Sequence, residues 1–445
     1  MKSIDKIPTG KIQRASKLVQ TGVKVGGNYL KYYGEKLTQP DLDRSKLDEA
    51  NAEEIYNSLK SLKGSALKAA QMLSMEKNIL PQAYTDKFSL AQFQVPPLSA
   101  PLVRKTFKQY LGHPPETLFD HFEAESVAAA SIGQVHKAHK DGQALAVKLQ
   151  YPGVAESISS DLAIVKPIAL RLFNLSADDV EHYFQEVKAK LLEETDYGLE
   201  LRQSQAMVTA CEHLPGLRFP RYYPDYSSTR ILTMDWMEGE QLSHFAERNP
   251  SLSERTQVAQ TLWDWYMFQM HQLRLIHADP HPGNFLVDAQ QQLIAIDFGC
   301  LKSIPEAFYT PYFDLSSPET LANRERLLHC LEQLEILRPS DSAEDRAYLA
   351  HTFWEMGTLI SRPFYQERFD FSDDAFFAQI NEMGERFGRD SRLRKLSSGR
   401  GSRHFLYVNR TFFGLYMLQH SLRAEIDTQQ YRRWLTTKPC AAPAV

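Results

Sequence analysis

Asp279, Asn284 and Asp297 follow one another at intervals of five and thirteen residues, inside His277-Ala-Asp-Pro-His-Pro-Gly-Asn284 and Asp297-Phe-Gly. Hard divalent cations such as Mg²⁺ take oxygen ligands, and one Asn amide with one Asp carboxylate is a partial set that leaves room for phosphate oxygens and water. Asp279, ahead of that pair, stands where an attacking hydroxyl or water is oriented or deprotonated. Lys148, in Ala146-Val-Lys, adds a cation of the type that pins α and β phosphates, and Glu200 is the acidic partner we assign to it. The chemistry implied is phosphoryl transfer or hydrolysis with ATP and Mg²⁺. His277, Asp279 and His281 also alternate as metal ligands can, but Pro280 and Pro282 suit a rigid loop better than a hydrolase centre.

These residues need elements to hold them. Phe285-Leu-Val-Asp and Leu293-Ile-Ala-Ile read as two short strands around a Gln-Gln tip, a hairpin that sets Asn284 and Asp297 side by side. Leu252 to Leu275 reads as a helix feeding the loop. Lys148 sits in a strand, Ala144–Gln150, joined through Asp141-Gly142 to a strand running from Ser126 through Val135 to Ala138. Within it, Ala128, Ala129, Ala130, Ser131, Ile132, Gly133, Gln134 and Val135 occupy the place of a phosphate-cradling turn. The three alanines add Cβ atoms where glycines would admit a phosphate closely. Arg230 to Trp236 reads as a strand ending in a hinge, with Met234, Asp235 and Met237 assigned to the nucleotide.

Val180 to Val208 reads as one long acidic helix. Asp196 and Glu200, four apart, share a face, whereas Glu194 and Glu200, six apart, diverge by roughly 120°. A helix is expected near Pro101 to Tyr110, another from Glu53 to Met75 carrying Lys68 and Gln71 on one face, and helix after helix from Pro305 onward. The aromatic run Phe405 to Tyr416 reads as core. Arg392, Arg394, Lys395, Arg400 and Arg403 form a basic loop that is either solvated or touches lipid headgroups.

Lys plus Arg is 51 against 55 for Asp plus Glu, so nucleic acid is not expected as a partner. The first 36 residues are locally basic, with Lys2, Lys6, Lys11, Arg14, Lys17, Lys24, Lys31 and Lys36 against Asp5 and Glu35. They read either as a solvated helix or disordered arm, since Gly26-Gly27 interrupts the pattern, or as an amphipathic segment lying on an anionic membrane. The four cysteines are scattered, no leader-like apolar core opens the chain, and no apolar run is long enough to span a bilayer. A cytoplasmic protein, peripheral on the inner face of a membrane if the basic segment docks, is the expectation.

Ala128-Ala-Ala-Ser-Ile-Gly-Gln-Val-His136, Ala146-Val-Lys-Leu-Gln-Tyr-Pro-Gly-Val154, Glu194-Thr-Asp196, His277–Asn284 and the Asp297 turn together resemble the UbiB family of atypical kinase-like proteins, the COQ8-like aarF-domain kinases. The resemblance covers about residues 50 to 430. It implies an α+β, bilobal protein-kinase-like fold with an N-terminal helical extension and a helix-rich C-lobe. The corresponding segments are a basic arm over 1–48, the extension over 49–100, an N-lobe over 101–236, a C-lobe over 237–435 and a tail over 436–445. It further implies that Lys68 and Gln71 form the family's Lys-x-Gly-Gln motif, with Ala70 in place of glycine, and that Lys68 pairs with Glu194 while Lys148 pairs with Glu200. No Ala-Pro-Glu element follows Asp297, so a small molecule or lipid, rather than a protein, is the expected acceptor. The family's link to coenzyme Q-like prenylquinone or lipid metabolism, through an ATPase or kinase, is carried as implication. A nucleotide-sensing scaffold that binds prenyl lipid or a biosynthetic complex is the alternative.

Overall fold

The computed structural model describes residues 11–36, 45–62, 97–130, 132–173, 177–397, 400–402 and 404–435. Its contacts divide the chain into two units, one of Met1–Leu201 with Tyr222–Trp236, the other of Arg202–Arg221 with Met237–Val445.

The first unit opens with helices α1 (Lys11–Lys36) and α2 (Ser45–Leu62), which pack on each other. α1 runs unbroken through Gly26-Gly27, so those glycines cost helix propensity without ending the helix. Of the helix expected over Glu53 to Met75 only the part up to Leu62 is described, as the second half of α2, and Lys68 and Gln71 lie outside the described residues. α3 (Ala100–Leu111) starts at Ser99 with Pro101 in its first turn, where a missing N–H is tolerated. The sheet then forms from β1 (His121–Phe122), β2 (Ala128–Ala130), β3 (Gly133–Lys140) and β4 (Gln143–Gln150). β3 and β4 are joined by the two-residue turn Asp141-Gly142, whose φ values of 49° and 76° are those that Asp-Gly accepts readily. The continuous strand expected from Ser126 to Ala138 is instead a hairpin. Its two arms, β2 and β3, pair antiparallel, with Ala130 opposite Gly133.

Two helices, α4 (Val154–Phe173) and α5 (Ala177–Glu194), follow. α6 (Tyr197–Cys211) begins after a break at Thr195-Asp196, which corrects the single Val180–Val208 helix. The cause is local: Asp196 Oδ1 accepts from the backbone N–H of Gly198 and Leu199 at 3.0 and 3.2 Å, capping a new helix. The chain supplies β5 (Leu217–Arg218) to the second unit and returns as β6 (Ile231–Asp235), giving the sheet order β1-β3-β4-β6 with β2 on β3.

In the second unit, β7 (Glu240–Gln241) and α7 (Leu242–Glu247) precede α8 (Leu252–Phe268), which Ser251 and Glu254 close with a capping box. α8 does not reach Leu275 as a helix. A π-helical turn over Gln269–Leu273 intervenes before β8 (Leu275–His277), a distortion of the kind that recurs at functional sites. β9 (Phe285–Val287) and β10 (Leu293–Ala295) form the expected hairpin in a sheet of order β5-β10-β9-β7, and β11 (Leu301–Ser303) pairs with β8. Helices α9 (Glu306–Leu315), α10 (Arg324–Gln333), α11 (Ala343–Ile360), α12 (Asp374–Arg389), α13 (Ser391–Ser397), α14 (His404–Leu422) and α15 (Arg432–Leu435) fill the remainder. They are interrupted by a ribbon of β12 (Arg368–Asp370) and β13 (Glu425–Asp427), which corrects the expectation of helices alone. The core lies under α8, where Trp263, Trp265 and Tyr266 are fully buried, and α14 contributes Phe412 while leaving Phe413 half out.

Candidate active site

In the first unit, β4 sets Lys148 on the inner side of the sheet opposite Val135 of β3 and Leu232 of β6. Its ammonium lies 2.7 Å from Glu200 Oε1, and both side chains are more than nine-tenths buried. Glu200 occupies the first turn of α6, where the helix N-terminus favours a carboxylate, and the Tyr197 ring lies 5.0 Å from the ammonium. A buried pair of this geometry fixes both side chains, since losing either partner strands a charge. The α6 start is itself anchored: the Thr195 carbonyl accepts from Gln150 Nε2 at 3.1 Å and from Arg230 Nη1. Glu194 ends α5 and Asp196 caps α6. Glu194 and Glu200 therefore belong to separate helices rather than to two faces of one, and Asp196, expected to share a helical face with Glu200, stands ahead of the second helix as its cap.

The turn assigned to the nucleotide divides into surface and core. Ala128 and Ala129 are exposed, whereas Ile132, Gly133 and Gln134 are buried and carry structural contacts, and Ser131 lies outside the described residues. A Cβ on Gly133 would come within 2.3 Å of the Leu149 carbonyl oxygen, so this glycine is required by the close approach of β4. Gln134 Oε1 accepts from Leu98 N at 2.7 Å, and its Nε2 lies 2.7 Å from His136 Nε2. His136 Nδ1 lies 2.9 Å from the Glu123 carbonyl, which makes Nδ1 the protonated nitrogen and Nε2 the acceptor. Burial holds this imidazole's pKa below its usual value, so it stays neutral. The Gln and His of the motif thus clasp residues 98 and 123 to the sheet. Met234 is buried opposite Ala146, and Asp235 accepts from the Tyr223 hydroxyl at 2.8 Å. Met237 opens the second unit.

In the second unit the two short ladders frame both loops. Ala278 N donates to Cys300 O at 2.8 Å at one end, and Ile296 N donates to Asn284 O at 3.1 Å at the other. Asn284 and Asp297 are therefore set next to the same backbone bond, each at the end of a hairpin strand. Asn284 Nδ2 donates to the Asp279 carbonyl at 2.9 Å, which leaves the amide oxygen as the ligating atom, and Asp297 Oδ1 accepts from Gly299 N at 2.9 Å. An amide oxygen and a carboxylate in this arrangement fit Mg²⁺, which takes one or two protein oxygens and keeps the rest for water and phosphate. His281 Nδ1 accepts from Gly283 N at 3.0 Å and stiffens the turn.

His277 is not positioned as a ligand. It is buried with Nδ1 3.1 Å from the Tyr266 hydroxyl, its backbone N–H donating to Gln269 Oε1 at 2.7 Å, and Trp265, Phe285 and Phe298 around its ring. Burial, then the neighbouring Asp279 charge, pushes the Tyr266 phenol well above its usual pKa. Among the described residues no group of three or more His, Cys, Asp and Glu side chains is arranged to hold a metal.

One residue absent from the sequence reading enters here. Arg410 of α14 places Nη2 2.6 Å from Asp279 Oδ1, with both side chains about one-fifth exposed. Its signal was a lone charge in the aromatic run Phe405 to Phe413. The expected basic loop is in part helix, since Arg392, Arg394 and Lys395 fall in α13. Arg392 pairs with Glu344 and Asp345, Arg400 binds Asp341 through two nitrogens at 2.5 and 2.6 Å, and Arg403 lies outside the described residues.

Comparison with known proteins gives a consistent result. The ABC1 atypical kinase-like domain profile matches residues 90–329. The uncharacterised Synechocystis protein sll1770 is 32% identical over 64% of this chain and 50% of its own length. Activity of bc1 complex kinase 8, chloroplastic, of Arabidopsis thaliana is 30% identical over 62% and 37%. The mitochondrial atypical kinase COQ8 of Saccharomyces cerevisiae is 28% identical over 75% and 67%. The chain thus spans about half or less of the length of the first two. A solved structure of the Mycobacterium tuberculosis Rv3197–erythromycin complex superposes with a TM-score of 0.60 at 25% identity, over 88% of this chain and 97% of that one. The mixed helix and sheet architecture is the bilobal kinase-like fold.

Proposed function

Since the chain belongs to the ABC1 atypical kinase-like family, we propose that it binds Mg-ATP and either hydrolyses it or phosphorylates a small molecule or lipid, in prenylquinone or related lipid metabolism. The observation that carries this reading is the hairpin that sets Asn284 and Asp297 on one backbone hydrogen bond, with Asp279 five residues before Asn284. Asn284 and Asp297 hold the metal, which when bound offsets the charge of the phosphates. Lys148, oriented by Glu200, contacts the α and β phosphates. Asp279 orients the hydroxyl or water that attacks the γ-phosphorus, and accepts its proton as that bond forms and the bond to the β–γ bridging oxygen breaks, releasing ADP. Lys68 and Gln71 are proposed to act with Glu194, as the family motif implies. Among the described residues no helix is long and apolar enough to cross a membrane. Val23, Leu30 and Tyr33, on one face of α1, are 61% or more exposed, which supports peripheral docking on a membrane, while the neighbouring Lys24 and Lys31 are matched by Glu54 and Glu35 at 2.8 and 4.0 Å.

A second reading, a weakly turning nucleotide sensor that scaffolds a lipid-synthesising complex, is favoured by the Arg410–Asp279 pair, because an ion-paired carboxylate is a poorer base. Phosphate release from Mg-ATP separates the two. Wild type, with and without anionic liposomes, is expected to exceed Asp297→Asn by at least about a hundredfold, the scale of a lost transition-state charge contact. Equal rates in both proteins leave the scaffold standing and end the enzymatic reading.

A further inference from the structure

The second unit contains a cavity of about 760 Å³ that none of the roles above uses. Its volume falls within the range that accommodates a drug-sized ligand. It is walled by α9, by the end of α11, by the middle of α14 and by α15, with the rings of Tyr309, Phe313, Phe364, Phe412, Tyr431 and Trp434 in the lining. The hydroxyls along the wall are committed internally. Tyr312 donates to Asn409 Oδ1 at 2.7 Å, Tyr365 to the Ser316 carbonyl at 3.0 Å, and Tyr416 to the Ile360 carbonyl at 2.8 Å. The Tyr309 hydroxyl lies 2.6 Å from Nδ1 of the buried His271. What the wall offers a ligand is therefore mainly aromatic surface, with the Tyr309 and Trp434 rings already carrying Arg274 and Arg433.

The charges at the cavity are unequal. Arg274 is matched by Glu306 at 3.4 Å, and its guanidinium already stacks on Tyr309, 3.1 Å from the ring centroid. Asp314, Glu319 and Arg432 complete the charged lining, and none of these three is in an ion pair among the described residues. The two carboxylates are exposed at the rim, so the balance left for a ligand is acidic. Aromatic faces with a carboxylate rim attract cations and repel anions.

We propose that this cavity is a binding site for an organic cation with a flat or otherwise apolar body, its ammonium held by Asp314 and Glu319 and its rings by Phe313 and Phe364. The site is independent of the nucleotide reading, because no residue of the phosphate or metal set lines it.

Two fluorescent probes of opposite charge test it on the full chain: berberine, a flat quaternary ammonium, and 8-anilinonaphthalene-1-sulfonate, a flat anion. Berberine is expected to bind wild type saturably at one to one, at least about tenfold more tightly than the anion, the factor one good cation and ring contact supplies. The double variant Asp314→Asn, Glu319→Gln should weaken berberine by about tenfold. Thr310→Trp, at an exposed position on the rim, should abolish binding by filling the mouth. Both variants alter exposed residues, and matching unfolding midpoints would establish that they fold. No saturable binding of berberine to wild type, equal affinity for the two probes, or unchanged affinity in folded variants would each overturn the proposal.

Discussion

Arg410 is the residue on which the two functional readings turn. Its guanidinium is 2.6 Å from Asp279, and the pair is about one-fifth exposed, so it is only partly screened by water. The contact occupies Asp279 Oδ1 and fixes the direction of the carboxylate, and orientation contributes more to phosphoryl transfer than proton affinity does. Arg410→Ala is therefore expected to lower kcat for phosphate release by about tenfold, roughly 1.4 kcal/mol of barrier, with little change in KM for ATP. Arg410→Lys should recover only part of the loss, since an ammonium cannot reproduce the planar donor geometry. Steady-state phosphate release against ATP concentration reads both parameters. A rate that rises in Arg410→Ala would make the pair a brake and support the sensor reading.

α14 is the element that ties this site to the rest of its unit. Arg410 and Gly414, four apart, meet the catalytic loop, while Phe412 and Tyr416, two further round, line the aromatic cavity on the opposite side of the helix. Ala is ordinarily better than Gly inside a helix by about 1 kcal/mol. At position 414 the sign should reverse, because a Cβ there would lie 2.3 Å from Pro280 Cγ and 3.1 Å from the Pro280 carbonyl oxygen. Gly414→Ala is expected to lose about 1–3 kcal/mol of stability by overpacking and to depress turnover by displacing Asp279. A melt combined with the phosphate assay checks this, and a variant as stable and active as wild type would show the loop yields freely. The hairpins around Asp141-Gly142 and between Asn284 and Asp297 were legible in the sequence because short apolar runs met turn residues. The break before Tyr197 was not, because an Asp within an acidic helical run looks like solvated surface until its carboxylate meets the N–H of Gly198 and Leu199. The β12–β13 ribbon pairs three residues with three across some fifty-seven positions, too short for a local pattern. Arg410 and the Gln134–Leu98 clasp are likewise long-range contacts that spacing does not encode.

At the scale of the whole molecule, stability should depend on pH through two buried groups with opposed signs. Burial raises the Asp264 carboxyl from the usual 3.8 to about 6, against the lowering effect of the Gln260 hydrogen bond and Arg433. Between pH ~4 and ~6 folded Asp264 holds a proton that the unfolded chain has lost, so stability falls as pH rises, by about 1.4 kcal/mol per unit. Burial, helped by Arg274, lowers the His271 imidazole from 6.5 to about 3. Over the same window the unfolded chain binds that proton and the folded one does not, so stability rises with pH at a similar slope. The two contributions oppose each other in the wild type, and single variants should separate them. Urea unfolding of Asp264→Asn from pH 4 to 6 is expected to show stability climbing relative to wild type by about 3 kcal/mol, and His271→Phe to show it falling by a similar amount. Asp341 sets the acid limit, since the Arg400 fork holds its carboxyl near 2 and the stability this supplies above pH ~4 disappears as pH drops through 2. Parallel pH profiles for wild type and both variants would mean that neither group keeps its buried protonation state in the folded protein, and the cancellation argument would fail with them.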